Sequence, residues 1–251
     1  MNASQGSLIS IRDAENLIRK KELDKWREQV VTEVRERILR KDYPCVFTRV
    51  GYEKNHLQFS FLEDPFDQNS LRLSFNDVID FIDLVDQADS PQTAAMKTLL
   101  LCVNSTELSS HREPAAVWSI LNAFLEFDVS PWPAGVPKDP ENPEWAYCLL
   151  GKRAFITVLS PSHKKRRSRN LGSHMVLLFQ LRDGIEYVAP YNSKGNDVRE
   201  TIRRRIEAYD EVPLAPDMTT HGEGRNKDWS QYWLGDGMEP FQGKCPLHQK
   251  K

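Results

Sequence analysis

Apolar residues recur at three- and four-residue spacing from Leu23 through Trp26, Val30 and Val34 to Ile38, which predicts an amphipathic helix over residues 23–41 with a heavily charged outer face. A β-rich run over residues 44–49 is followed by alternation at Leu57, Phe59 and Phe61. Together they predict a hairpin whose second strand, residues 56–61, is half buried. A second helix is expected over residues 74–87 on Val78, Ile79, Ile82 and Val85, then a buried strand over residues 98–103. Pro114 suits the first turn of a third helix with Val117, Leu121, Phe124 and Leu125 on its inner face. Further strands are predicted over residues 145–150, 154–159, 175–181 and 185–188, and a basic helix over residues 197–209.

Residues 128–144 break this rhythm. Pro131, Pro133, Pro137, Pro140 and Pro143 exclude helix and sheet interior. Because Trp132 and Trp145 flank the stretch, a long ordered loop packed on the domain is expected rather than a linker. Beyond Pro213 the chain is turn-rich, with Trp229, Tyr232, Trp233 and Phe241 as anchors. The predicted fold class is α+β: a single domain over residues 23–251, with a mainly antiparallel sheet flanked by helices and a long Pro/Trp-rich loop. Residues 1–22 are expected to form an N-terminal extension, partly helical or disordered.

Composition narrows the function classes. Among 251 residues, Lys and Arg total 34 against 36 for Asp and Glu, so a net charge of −2 gives no global attraction to nucleic acid or an anionic membrane. The longest apolar runs fall far short of the roughly 20 residues of a membrane span. No basic region followed by an apolar stretch opens the sequence, so a cytoplasmic protein without a secretory signal is expected. Cys45, Cys102, Cys148 and Cys245 are scattered and read as free thiols. Neither GxGxxG nor GxxxxGK[ST] occurs, which argues against the usual dinucleotide and ATP enzymes.

Candidate chemistry concentrates in residues 160–172, SPSHKKRRSRNLG, where His163 stands with Lys164, Lys165, Arg166, Arg167 and Arg169. A solvated basic loop is the plain reading. The chemical one gives the imidazole to a metal or heme and the arginines to carboxylates. Cys245 and His248 make a second thiol–imidazole pair that lacks an evident second half for zinc.

The order of short motifs carries more than any one of them. YPCVF (43–47), VWSILNAFLEFDVSPWP (117–133), PENPEWAYCLLG (140–151), SPSHKKRRSR (160–169), LLFQLR (177–182), IRRRIEAYD (202–210), DWSQYWL (228–234) and CPLH (245–248) follow one another as in the YqcI/YcgG family, which the chain resembles. Leu181 and Leu247 replace that family's usual proline and phenylalanine, both by apolar residues.

The family includes heme-dependent N-hydroxylases of arginine and related guanidino amino acids. The resemblance therefore implies a heme-dependent monooxygenase of specialised metabolism. It would bind heme b, a guanidino substrate, oxygen or a peroxide, and an electron donor of unknown kind, with no nucleic-acid or membrane partner. It implies His163 as iron ligand with His248 as runner-up, and Arg166, Arg169 and Ser168 for propionates or a substrate carboxylate. Asp128 and Glu144 are candidate carboxylates for the guanidinium, and Asp139 is expected to cap or turn the chain. Trp132 and Trp145 would stack on heme or guanidinium. A heme-binding protein without turnover and a basic-loop interaction protein are the alternatives.

Overall fold

The structure, a computed structural model, describes residues 8–248. Its centre is a six-stranded sheet of β1 (Ile9–Ser10), β2 (Leu57–Leu62), β3 (Thr98–Val103), β4 (Tyr147–Leu149), β5 (Lys152–Leu159) and β6 (Met175–Leu181), in the order β1-β2-β3-β6-β5-β4. Alternation sorts the strand residues. Leu99, Leu101 and Val103 face one apolar cluster together with Met175, Leu177 and Phe179, while Leu100, Cys102, Val176 and Leu178 face the other.

Helices cover both faces. α1 (Ile11–Lys20) and α2 (Lys25–Ile38) bury Ile11, Ala14, Val30, Val31, Val34 and Ile38 on one side. On the other, α4 (Gln68–Asp86) and α6 (Glu113–Phe127) pack Phe75, Val78 and Phe81 against Ile120, Leu121 and Phe124. Asp67 caps α4 by accepting the Ser70 N–H at 2.7 Å. The shorter helices α3 (Val46–Glu53), α5 (Pro91–Met96) and α7 (Arg182–Val188), with the long α8 (Ser193–Tyr209), complete the described chain. The described part of the N-terminal stretch is built into the body, because β1 pairs with β2 and α1 lies in the core. Among the described residues no helix is long and apolar enough to cross a membrane.

The α+β class holds, but the sheet is mixed rather than mainly antiparallel. β2 and β3 run parallel because α4 and α5 carry the chain back between them, a crossover that a tight hairpin turn cannot provide. Residues 44–49 enter a helix, α3, instead of the first arm of a hairpin, and residues 185–188 belong to helix α7 instead of a strand. Each helix is short, and each is fixed by a glycine. A side-chain carbon on Gly51 would stand 3.0 Å from the Leu57 side chain, and one on Gly184 would stand 2.9 Å from the Ala95 backbone. Bare glycine lets α3 sit on β2 and α7 sit on α5. β2 itself is buried on both faces, not half buried.

The long loop over residues 128–144 is ordered as expected. Trp132 and Trp145 stack with centroids 6.4 Å apart, and the Trp132 indole donates to the Val136 carbonyl at 2.9 Å. All four cysteines are free.

Candidate active site

The basic loop is anchored from several sides. Its first residue, Ser160, donates its hydroxyl to Glu113 at the start of α6 at 2.5 Å, while its backbone N–H donates to the Arg169 carbonyl at 2.8 Å. The carboxylate of Asp236 accepts three successive backbone N–H groups, from Lys164, Lys165 and Arg166, at 2.7, 2.9 and 2.9 Å. Burial alone would raise that carboxyl, but these donations outweigh it and hold Asp236 below its ordinary pKa. Only part of the loop is solvated: Lys164 and Lys165 are exposed, whereas His163, Arg166 and Arg169 are buried.

The three buried residues differ in what they do. Arg166 has no solvent exposure and donates to the carbonyls of Gly235, Pro213 and Gly237, so its guanidinium ties the loop to the C-terminal segment and has no fork left for a propionate. His163 turns Nδ1 to the Arg169 carbonyl at 2.8 Å, which places the proton there. Its Nε2 is buried without a partner, and its ring lies 5.0 Å from that of Trp233. Burial lowers the His163 pKa from 6.5, although the bond to the Arg169 carbonyl opposes the shift. The unfolded chain therefore takes up a proton that the folded protein refuses as pH falls through about 6.5, and stability is lost in that direction. The melting temperature is expected to drop between pH 7.5 and 5.5, and the drop should be smaller in His163→Gln; an equal drop in the variant would place the sensitivity elsewhere.

Arg169 lines a cavity of about 310 Å³ on the α1/α2 face of the sheet. Such a volume suits a small molecule. Phe155, Thr157 and Leu159 of β5 and Leu178 and Gln180 of β6 form its floor. The walls come from α3 with Phe47 and Thr48, from α7 with Ile185 and Val188, and from α8 with Ile202 and Ile206.

The polar groups of this cavity carry an excess of positive charge: Arg169, Arg182 and Arg199 stand against one carboxylate, Asp228. Asp228 is already engaged. Arg182 donates to its Oδ2 in a buried ion pair, and Asn226 Nδ2 donates to its Oδ1 at 3.2 Å. His221 Nδ1 lies 3.3 Å from the same Oδ1, and the ring, with an 8% exposed side chain, forms part of the cavity wall. Tyr191 packs on that ring at 6.3 Å. Arg199, stacked over Tyr191, donates to the Ala189 and Pro190 carbonyls.

Only Arg169 and Ser168, of the residues proposed from the sequence, reach the cavity wall, and Ser168 is held by Asp210, which accepts both its N–H and its hydroxyl. His163 and Arg166 lie in the same loop but do not line the cavity. His248 is on the surface, 3.6 Å from Glu126, beside a small pocket that Trp132, Trp145 and Cys245 share. Asp128 accepts the N–H groups of Ser130 and Leu150, both at 2.8 Å, which makes it a turn and strand anchor. Asp139 likewise accepts the Glu141 N–H. Glu144 is exposed and does not line the cavity. His221, Asp228 and Arg182 were the residues that sequence reading missed. Their one trace is that Asp228 opens DWSQYWL and Arg182 closes LLFQLR, two of the ordered motifs.

Fold and cavity make this an α+β protein with a sizeable pocket whose wall carries three arginines against a single carboxylate. The chain belongs to the YqcI/YcgG family, whose model matches residues 34–248. Among curated relatives, a Streptomyces lavendulae protein named "Putative N(omega)-hydroxy-L-arginine synthase DcsA" is 30% identical over 228 residues, covering 90% of this chain and 85% of its own. The Bacillus subtilis (strain 168) proteins YqcI and YcgG, both named uncharacterized, are 28% and 29% identical, each match covering 92% of this chain and 91% of the relative. No solved structure matches the chain.

Proposed function

We propose that the chain is a cytoplasmic, heme-dependent oxygenase that N-hydroxylates the guanidino group of an arginine-like amino acid in this cavity. The observation that carries the reading is His221, an imidazole in the cavity wall whose Nδ1 faces a buried carboxylate. Iron-ligating histidines commonly have such an outer partner. The name of the Streptomyces relative supports the product class.

The lining supplies the residue types a heme would need, an imidazole and arginines. Among the described residues no group of three His, Cys, Asp or Glu side chains could hold a metal ion, but a heme would ask the protein for only one imidazole. Phe155, Leu159 and Leu178 of the floor suit a macrocycle, and an arginine fork suits its propionates. When bound, heme supplies the activation of oxygen. The chain's residues would do the remainder: His221 would hold the iron, Asp228 would orient the imidazole through its Nδ1, Arg182 pairs with Asp228, and α7 and α8 wall the cavity. In the overall balance one oxygen atom enters an N–H bond of the guanidine. With dioxygen the other atom leaves as water, using an electron pair and two protons from a donor; a peroxide brings both electrons and oxygen.

One observation favours a second reading of the ligand, namely the unpartnered, buried Nε2 of His163. Protein purified from cells fed a heme precursor separates the possibilities. A Soret band is expected, with an axial-histidine signature that His221→Ala abolishes and His163→Ala preserves. The reverse pattern moves the ligand to the basic loop. Absence of the band after reconstitution sinks the heme reading, and a heme-loaded protein that adds no oxygen mass to arginine is a carrier.

A further inference from the structure

We propose that Arg169 is the carboxylate-binding subsite of the cavity, so that the ligand it receives must carry a carboxylate at that end. The inference rests on the reading of this cavity as the functional site. Arg169 is 7% exposed, yet its Nη1 is buried without a hydrogen-bond partner. No neighbouring carboxylate among the described residues forms a direct pair with it. Asp210 is occupied by the N–H and hydroxyl of Ser168, and among the described residues Arg169 forms no ion pair. Nearby Arg166 donates to a carbonyl through each of its three nitrogens and adds repulsion. Burial and that repulsion bring the Arg169 guanidinium down to about 10, with the charge of Asp210 opposing the shift without forming a direct ion pair.

Such a group is costly unless something completes it. A carboxylate is the matching partner, since a guanidinium fork meets its two oxygens in parallel hydrogen bonds. The other pole of the cavity differs: at Arg182 the charge is already met by Asp228. Along β5 the two poles are separated by the run from Phe155 to Leu159, roughly 13 Å at the usual strand rise. A carboxylate in this place has two sources, a heme propionate or the α-carboxylate of an amino acid.

Calorimetric titration of the full chain with two matched pairs of probes tests the subsite: protoheme against its dimethyl ester, and L-arginine against its methyl ester. At least one acid is expected to bind about tenfold or more tightly than its ester, as a charged hydrogen-bonded pair implies. In Arg169→Leu that preference should collapse, while Arg169→Lys retains part of it. Preference within the first pair assigns the subsite to the cofactor, and within the second to the substrate. No acid preference in either pair, or a preference unchanged in Arg169→Leu, overturns the proposal. Hydroxylated product together with an unchanged preference would remove the subsite and leave the hydroxylase reading standing. Acid preference without product would do the opposite.

Discussion

Asp228→Ala is expected to destabilise the protein by about 3–5 kcal/mol, the usual loss when one partner of a buried ion pair is removed. For a chain of this size that is roughly 10 °C in melting temperature. Asp228 is 1% exposed and gathers Arg182, His221 and Asn226 around its two oxygens. Alanine would leave the Arg182 charge enclosed, with a Nε that already lacks a partner, and free the His221 ring to turn. The proposed hydroxylation should fall with it. The paired replacement Arg182→Met with Asp228→Leu removes both charges and should recover most of the stability but none of the activity. Denaturant titration measures both variants. A loss below about 1 kcal/mol in Asp228→Ala would mean that water reaches the network.

Arg166 and Arg169, three positions apart in one loop, are expected to respond in opposite directions. Arg166→Ala should cost about 3 kcal/mol or more, because it empties a fully buried volume and strands the carbonyls of Gly235, Pro213 and Gly237. Arg169→Leu should stabilise the ligand-free protein by about 1 kcal/mol, since it replaces a buried guanidinium whose Nη1 has no hydrogen-bond partner with an apolar side chain. Thermal melts of the two variants without ligand decide the matter. Equal losses in both would show that Arg169, like Arg166, serves the fold.

These contrasts also explain what the sequence could reveal. Helices α2, α4 and α6 and strands β3 and β6 were legible because their apolar spacing repeats over enough residues to fix a period. α3 and α7 were not, since VFTRV and IEYV are β-prone runs whose helical state is decided by close packing at Gly51 and Gly184. The basic loop was visible as charge, yet its sequence cannot distinguish the arginine that ties the chain from the one that faces the cavity. That division follows from acceptors at Pro213, Gly235 and Gly237, which lie far along the chain. The His221, Asp228 and Arg182 cluster was hidden for the same reason: it joins the end of β6 to a turn-rich segment with no shared motif.

The two-residue β1 and the three-residue β4 have a consequence for how this protein behaves in a crowded solution. Each stands at an edge of the sheet, the one place where a foreign strand could add to it. Short terminal strands give an intruder few amides to pair with, while β3 and β6 are flanked by long strands on both sides and β2 and β5 are covered by the edge strands over two and three residues. Ile9 and Ser10 thus shield the first half of LQFSFL, an apolar strand of the kind that invites strand addition when its edge is bare.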